Sequence, residues 1–366
     1  MGILDNLFTL TENESDLLFA IIWIFPIIIF VVFGQRIQLY MTSIELEKKI
    51  KKIKSFEHQI NNDLLMFVRS YGNISSTQID QLIDYFVILP NNIDPNGIVP
   101  KINHVIRSRE NYINCAIRSI FPNCDKVVIK KIQSLFEIMT LLKSLYKNVN
   151  HILLTAKKQH NYPLILPLQL NLPFIMEEVF ALKESIDPIK KGDPIGDGIG
   201  PLVVNNMMQN TVKHYDIDQT IWSMSTYNDK KLYFVKAEGP SPTTGKLGDA
   251  VELLVAQYKP NLIIMVDAAL KLEGEKTASV SCGFGAAIGG IGIDKFQIEE
   301  LATKYAISIF SIVVKESIKD SMSTMTNEIS EKVNYIKSLI YNTIDKNTIE
   351  CQSILIIGVG NTSGID

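Results

Sequence analysis

Residues 17–33 read LLFAIIWIFPIIIFVVF, a run without a single charge or side-chain amide. Only lipid or the middle of a large core can cover such a run, and buried core helices rarely stay this long without a polar atom. Continued as a helix through Leu39, it is about 34 Å long, enough for a hydrocarbon layer of ~30 Å. Pro26 is no obstacle, because proline is tolerated in spanning helices. Trp23 and Tyr40 stand where interfacial rings belong. Upstream lie Asp5, Glu12, Glu14 and Asp16 with no basic residue; downstream come Arg36, Lys48, Lys49, Lys51, Lys52 and Lys54. This bias predicts a single-pass protein of the cell membrane, with residues 1–16 outside, a spanning helix over 17–39 and the bulk of the chain in the cytoplasm. The basic start and small-residue cleavage site of a secretory signal peptide are both missing. The lipid bilayer is the first expected partner.

Beyond the run, two regions differ in period. Leu46, Ile50, Ile53, Phe56, Ile60, Leu64 and Phe67 recur every three or four residues and predict an amphipathic helix. Ser75 and Gln78 have capping-box spacing ahead of a helix to Leu89, which Pro90 ends. Further helices are predicted over Ile98–Phe121, Lys126–Lys157 and Pro173–Ser185, so residues 43–186 form an all-helical region.

From residue 187 onward, short apolar runs alternate with helical stretches. Strands are predicted at Leu232–Ala237, Leu262–Ala269, Ser308–Val314 and Ser353–Gly360. Helices are predicted at Leu202–Lys213, Lys246–Gln257, Lys295–Tyr305 and Ser317–Ile344. This predicts an α/β domain over 187–366, a mostly parallel sheet in three layers. Ligands of such sheets sit beyond the carboxyl ends of the strands.

Composition narrows the chemistry. The net charge of −3 offers no basic field for nucleic acid. Cys115, Cys124, Cys282 and Cys351 are scattered, without a CxxC pair or a neighbouring histidine, which argues against a disulfide framework or a zinc knuckle. Asp267 ends the apolar strand LIIMVD at the sheet's rim, where desolvation raises a carboxyl pKa; an aspartate bonded to the next loop's amides reads the same way. Asp197, in GDPIGDGIGPLVV, precedes a helix and is either an N-cap or a site acid. Gly198 and Gly200 permit close backbone approach. The run SCGFGAAIGGIG, residues 281–292 and including Gly289, Gly290 and Gly292, suggests a loop that cradles an anion or a peptide, or a close-packed turn. Glu238 and Thr244 either face the same rim or form a surface turn, and Lys271 is either a solvated charge or a partner of the site.

The stretches GDPIGDGIGPLVV, VKAEGP, LIIMVDAALKLEGEKT and GAAIGGIG resemble, over essentially the whole chain, an archaeal membrane-anchored family known as domain of unknown function 1512. More remotely, residues 193–314 resemble the germination protease and hydrogenase maturation protease fold. IGDGIGP is similar to that fold's proline-aspartate segment ending in leucine-glycine-proline. Thr244 and Gly245 are similar to its threonine-glycine helix start, and KPNLIIMVDAA to its Lys-Pro-Asp-Leu strand ending in Asp-Ala. The resemblance implies that Asp197 and Asp267 are the catalytic aspartates of a peptidase- or amidase-like hydrolase. The maturation proteases bind nickel with acids and a histidine at such positions. No histidine follows Asp267 here, so no metal is expected, and the favoured chemistry requires no cofactor. The fold's first strand, ending in Gly-x-Gly-Asn, is missing before Asp197, yet SILIIGVGNTSG occurs at residues 353–364. A circular permutation follows as an expectation, with that late strand at the sheet's centre and Asn361 beside Asp197. The substrate expected is a protein or peptide; the alternative is a tethered module that binds a ligand or partner without turnover.

Overall fold

The computed structural model describes residues 12–72, 74–83, 97–289, 293–346 and 352–366. Its elements are α1 (Glu12–Arg69), α2 (Ser76–Ile83), α3 (Ile98–Ile120), α4 (Lys126–Gln159), α5 (Tyr162–Glu184), α6 (Ile186–Lys191), α7 (Ile199–Met207), β1 (Lys213–Ile217), β2 (Thr220–Tyr227), β3 (Lys230–Ala237), α8 (Leu247–Tyr258), β4 (Leu262–Leu270), β5 (Val280–Phe284), α9 (Ile293–Lys304), β6 (Ser308–Glu316), α10 (Ile318–Met322), α11 (Asn327–Ser330), α12 (Lys332–Lys346) and β7 (Ser353–Gly358). A helical region thus precedes a mixed α/β sheet domain.

The chain divides into two units, Met1–Phe56 with Lys143–Met176, and Glu57–Leu142 with Glu177–Asp366. In the first, Leu46, Ile50 and Ile53 of α1 are buried, as are Val149 and Leu153 of α4 and Ile165, Leu168 and Leu172 of α5. Lys157 of α4 pairs with Glu47 of α1. Helix α5 begins well before the predicted Pro173, and carries Pro167 and Pro173 inside it. Those prolines cost helix stability, and burial of the apolar face outweighs the cost. The stretch Tyr162–Lys191 is the one continuous helix among the described residues that is long and apolar enough to cross a membrane, and a third of its most apolar window is buried within the protein.

The second unit holds the rest. The capping box at α2 is present: Ser75 N donates to Gln78 Oε1 at 3.0 Å and Gln78 N to Ser75 Oγ at 3.2 Å. Residues 84–90, where that helix was expected to end, lie outside the described residues. The sheet has seven strands in the order β1-β2-β3-β7-β4-β6-β5. β3, β7, β4 and β6 are parallel, whereas β1, β2 and β5 pair antiparallel at the edges. The sheet is therefore mixed rather than mostly parallel, because three polar strands escaped the sequence reading. The long helix expected over Ser317–Ile344 is broken into α10, α11 and α12.

Alternation along the strands builds two apolar layers. Ile354 and Ile356 of β7 point with Ile264 and Val266 toward α7 and α12, where Val203, Val204, Ile336 and Ile340 meet them. Leu355 and Ile357 face the other way, with Ile263 and Met265, toward Val251, Leu254 and Ile298 of α8 and α9. A strand apolar on both faces belongs in the middle of a covered sheet, and β7 is there. The expected central place of this late strand is what the sheet order gives.

Candidate functional site

Asp197 is delivered to the rim by a 3-10 turn, Gly196–Gly198, that runs straight into α7. Two glycine-bearing segments interlock to make this geometry. A Cβ on Gly200 would collide with the backbone oxygens of Val266 and Val359, so α7 sits with its backbone directly on β4 and the exit of β7. Gly360 has φ +130°, and a side chain there would strike the Asp197 carbonyl. A side chain on Gly198 would lie 2.8 Å from the Asn361 carbonyl oxygen. With these contacts made, Asn361 N donates to Asp197 Oδ2 at 2.8 Å. Asp197 caps neither the 3-10 turn nor α7; its carboxylate is spent on the strand exit instead.

Asp267, 5% exposed, stands on β4 in register with Val313 of β6. Asp197 and Asp267 both line a cleft of about 420 Å³ and a neighbouring one of about 450 Å³, and Ile288 and Gly289 line both as well. The pair thus stands where the two hollows meet. Burial raises the Asp267 carboxyl pKa well above the ordinary value; the negative Asp197 and, less strongly, Glu316 add to the rise, against one amide bond from Ala268. Burial also raises Asp197, and the Asn361 amide opposes it. Each carboxylate accepts one backbone amide bond, and only Asp267 is raised further by negative neighbours, so Asp197 is the better of the two at keeping its charge.

A third acid joins them. Glu316 ends β6, is fully buried, and neither carboxyl oxygen has a hydrogen-bond partner among the described residues. Burial, then Asp197, then Asp320 push its pKa up to about 8. Gly196 makes the room, since a Cβ there would run into Glu316 Oε2 and the Asp320 carbonyl. The loop beyond is pinned by a capping box between Ser317 and Asp320. Glu316 lines the 450 Å³ cleft with the two aspartates. Sequence reading passed over it, although the signal was the one used for Asp267: an acid ending an apolar strand.

The other expected residues divide. Thr244 lines the first cleft. Glu238 is drawn away from it, paired with Lys126 of α4, and lines neither cleft. Lys271 contributes its backbone, N donating to the Glu316 carbonyl at 2.8 Å, while its side chain lines neither cleft. Gly198 and Gly200 are packing glycines beneath the site. Of the glycine-rich run, Val280–Phe284 is edge strand β5 rather than loop, Gly289 reaches the clefts, and Gly290 and Gly292 lie outside the described residues. Among the described residues no three His, Cys, Asp or Glu side chains are placed to hold a metal ion.

Helix α3 walls the first cleft through Asn103, Ile106, Arg107 and Glu110. Arg107 Nη2 bonds Asp249 Oδ1 of α8 at 2.7 Å, and Gly248 N donates to Asp294 Oδ1 of α9 at 3.1 Å. The cleft is therefore made jointly by α3 and the sheet domain after residue 192.

Fold and rim together define an α/β sheet domain with an acidic groove, walled by a preceding helical region. The chain belongs to the DUF1512 family. Residues 20–192 match its N-terminal domain, described as "Protein of unknown function (DUF1512) N-terminal domain". Residues 195–366 match "Domain of unknown function (DUF1512) C-terminal". A search of curated proteins finds no match.

Proposed function

We propose that the protein is a hydrolase of amide bonds, with Asp197 and Asp267 as a carboxyl pair acting on a peptide laid across the two clefts. The observation that carries this reading is the placement of both acids, desolvated and mutually repelling, at the junction of the hollows. Two such carboxyls share one negative charge at neutral pH. Asp197, steadied by the Asn361 amide, keeps the charge and takes a proton from water, while the more deeply buried Asp267 keeps its proton and donates it toward the amide oxygen. Water adds to the carbonyl carbon, the C–N bond breaks, the amine leaves with the proton that Asp197 took from water, and the gem-diol returns a proton to Asp267. Products are a carboxylic acid and an amine. The arrangement β3-β7-β4-β6, with Asn361 against Asp197, supports a circularly permuted relation to the germination protease fold.

The test is incubation of the full-length protein with a peptide mixture, read by mass spectrometry for new termini. Wild type is expected to produce them, and Asp197→Asn and Asp267→Asn each to slow the reaction by about 10²–10⁴-fold, with melting temperature little changed. Equal cleavage by wild type and both variants would end the proposal.

We infer further that residues 17–39 anchor the chain in a membrane. Trp23 and Val31 are 72% and 75% exposed, and most large apolar side chains described between Ile22 and Met41 are exposed too. Apolar area on this scale is not left to water. Replacing Ile27 and Ile28 together by arginine is expected to release the protein from carbonate-washed membranes; full retention would sink the anchor.

A further inference from the structure

Beside the acidic groove lies a smaller, strongly polar pocket of about 130 Å³, which shares Glu110, Thr244, Gly245 and Lys246 with the first cleft. Helices α3 and α4 supply one wall with Glu110, Gln133 and Glu137; Gln219 and the loop 242–246 supply the other. The Glu110 carboxylate has no hydrogen bond or ion pair among the described residues and feels its cations only at a distance. Glu137 accepts one bond, from Gln133 Nε2 at 3.2 Å. Gln133 is 6% exposed, and its Oε1 is buried without a partner among the described residues. Lys130 Nζ is occupied, donating to Gln219 Oε1 at 2.6 Å, and Lys246 Nζ to Asp218 Oδ2 at 2.9 Å. A buried amide oxygen left unpaired costs about 1–3 kcal/mol, while the half-buried Glu110 and the exposed Glu137 keep acceptor oxygens open to a ligand.

We propose that this side pocket receives a cationic N–H donor group of the substrate, the ammonium of a lysine or the guanidinium of an arginine side chain. Three acceptors, Glu110, Glu137 and the free Gln133 oxygen, match the several N–H donors of such a group, and the volume suits the tip of either side chain. The shared wall with the first cleft places this tip on a chain whose backbone reaches Asp197 and Asp267. The proposal rests on the hydrolase reading for its word "substrate", and on the pocket alone for its chemistry.

The experiment uses the full-length protein in detergent, titrated with n-butylguanidinium, n-butylammonium, n-butanol and butyrate and followed by saturation-transfer NMR. Both cations are expected to bind at least tenfold more tightly than the alcohol or the acid. Glu110→Gln and Glu137→Gln are each expected to weaken cation binding about tenfold, as loss of a charge-assisted bond does. Lys130→Met should tighten it, a gain that misfolding cannot imitate. Butanol binding as well as the cations, or cation affinity indifferent to both glutamate variants, overturns the assignment. A wild-type protein that binds the cations but cleaves no peptide overturns the hydrolase reading and keeps the pocket. One that cleaves peptides, but neither binds the cations nor favours lysine or arginine near the cut, does the reverse.

Discussion

Two groups of acids share one face of this protein and are built on opposite plans. At the rim, burial raises Asp197, Asp267 and Glu316, neighbouring carboxylates raise the last two further, and only single backbone amides ease the two aspartates: no cation enters the causes of their raised pKa values. In the side pocket, Glu110 and Glu137 are raised by burial too, yet Lys130 and Arg109 pull both back, as do Lys246 and Arg107 for Glu110. The scaffolds differ in the same sense. The rim is backbone laid on backbone through glycines, whereas the pocket is walled by side chains from α3 and α4. On the proposed reading, the acids kept from cations serve the chemistry and those among cations serve recognition.

The sharpest blow to this contrast is Gly200→Ala. A methyl there meets two carbonyl oxygens of the sheet, so α7 must move off β4 and β7. The expected loss is about 3 kcal/mol or more, read by denaturant unfolding. An unchanged stability would mean that the rim is no tighter than the pocket.

Next comes Glu316. Its folded pKa of about 8 lies above the unfolded value of 4.5, so the unfolded chain releases this proton first as pH rises. Stability from this group is complete below pH 4.5 and declines from there until pH 8. By pH 7 the loss is at most about 3–4 kcal/mol, from 1.36 kcal/mol per unit. Glu316→Gln should flatten that slope, and Glu110→Gln, whose raised carboxyl is pulled back by four cations, should flatten it less. If the Glu110 variant flattens it as much, the two groups of acids are not different in kind.

The smallest effect concerns Arg107, which bonds Asp249 and lies near Glu110 in a half-exposed setting. Arg107→Met should cost about 1 kcal/mol at low salt and less in high salt. A salt-independent loss would show that packing, not charge, holds α3 to α8.

The sheet's interior was legible because β7 and β4 are apolar on both faces, and such runs have one place in an α/β fold. Asp197 and Asp267 were legible as acids next to glycines and at a strand's end. The edges were not. β1 and β2 are too polar to announce themselves, although Asn228 and Asp229, at φ +45° and +64°, make the two-residue hairpin that joins β2 to β3. β5 hides in a glycine-rich run, with Phe284 87% exposed. Glu316 carries the same strand-end signal as Asp267, but Lys315 before it makes KES read as a solvated exit, and the burial depends on Gly196, far back in the chain. The side pocket needed α3 and α4 beside loop 242–246, an adjacency no local pattern carries.

The position of β7 has a temporal meaning. β3 and β4 share no edge with each other; each pairs with β7, which follows every other strand in the chain. During synthesis the two halves of the parallel sheet therefore wait unpaired until residues 353–358 emerge, and Asp197 lacks its Asn361 partner until a few residues later still. On the proposed hydrolase reading, a centre assembled this way stays inert on the nascent chain, arming itself only once residues 353–361 have been added.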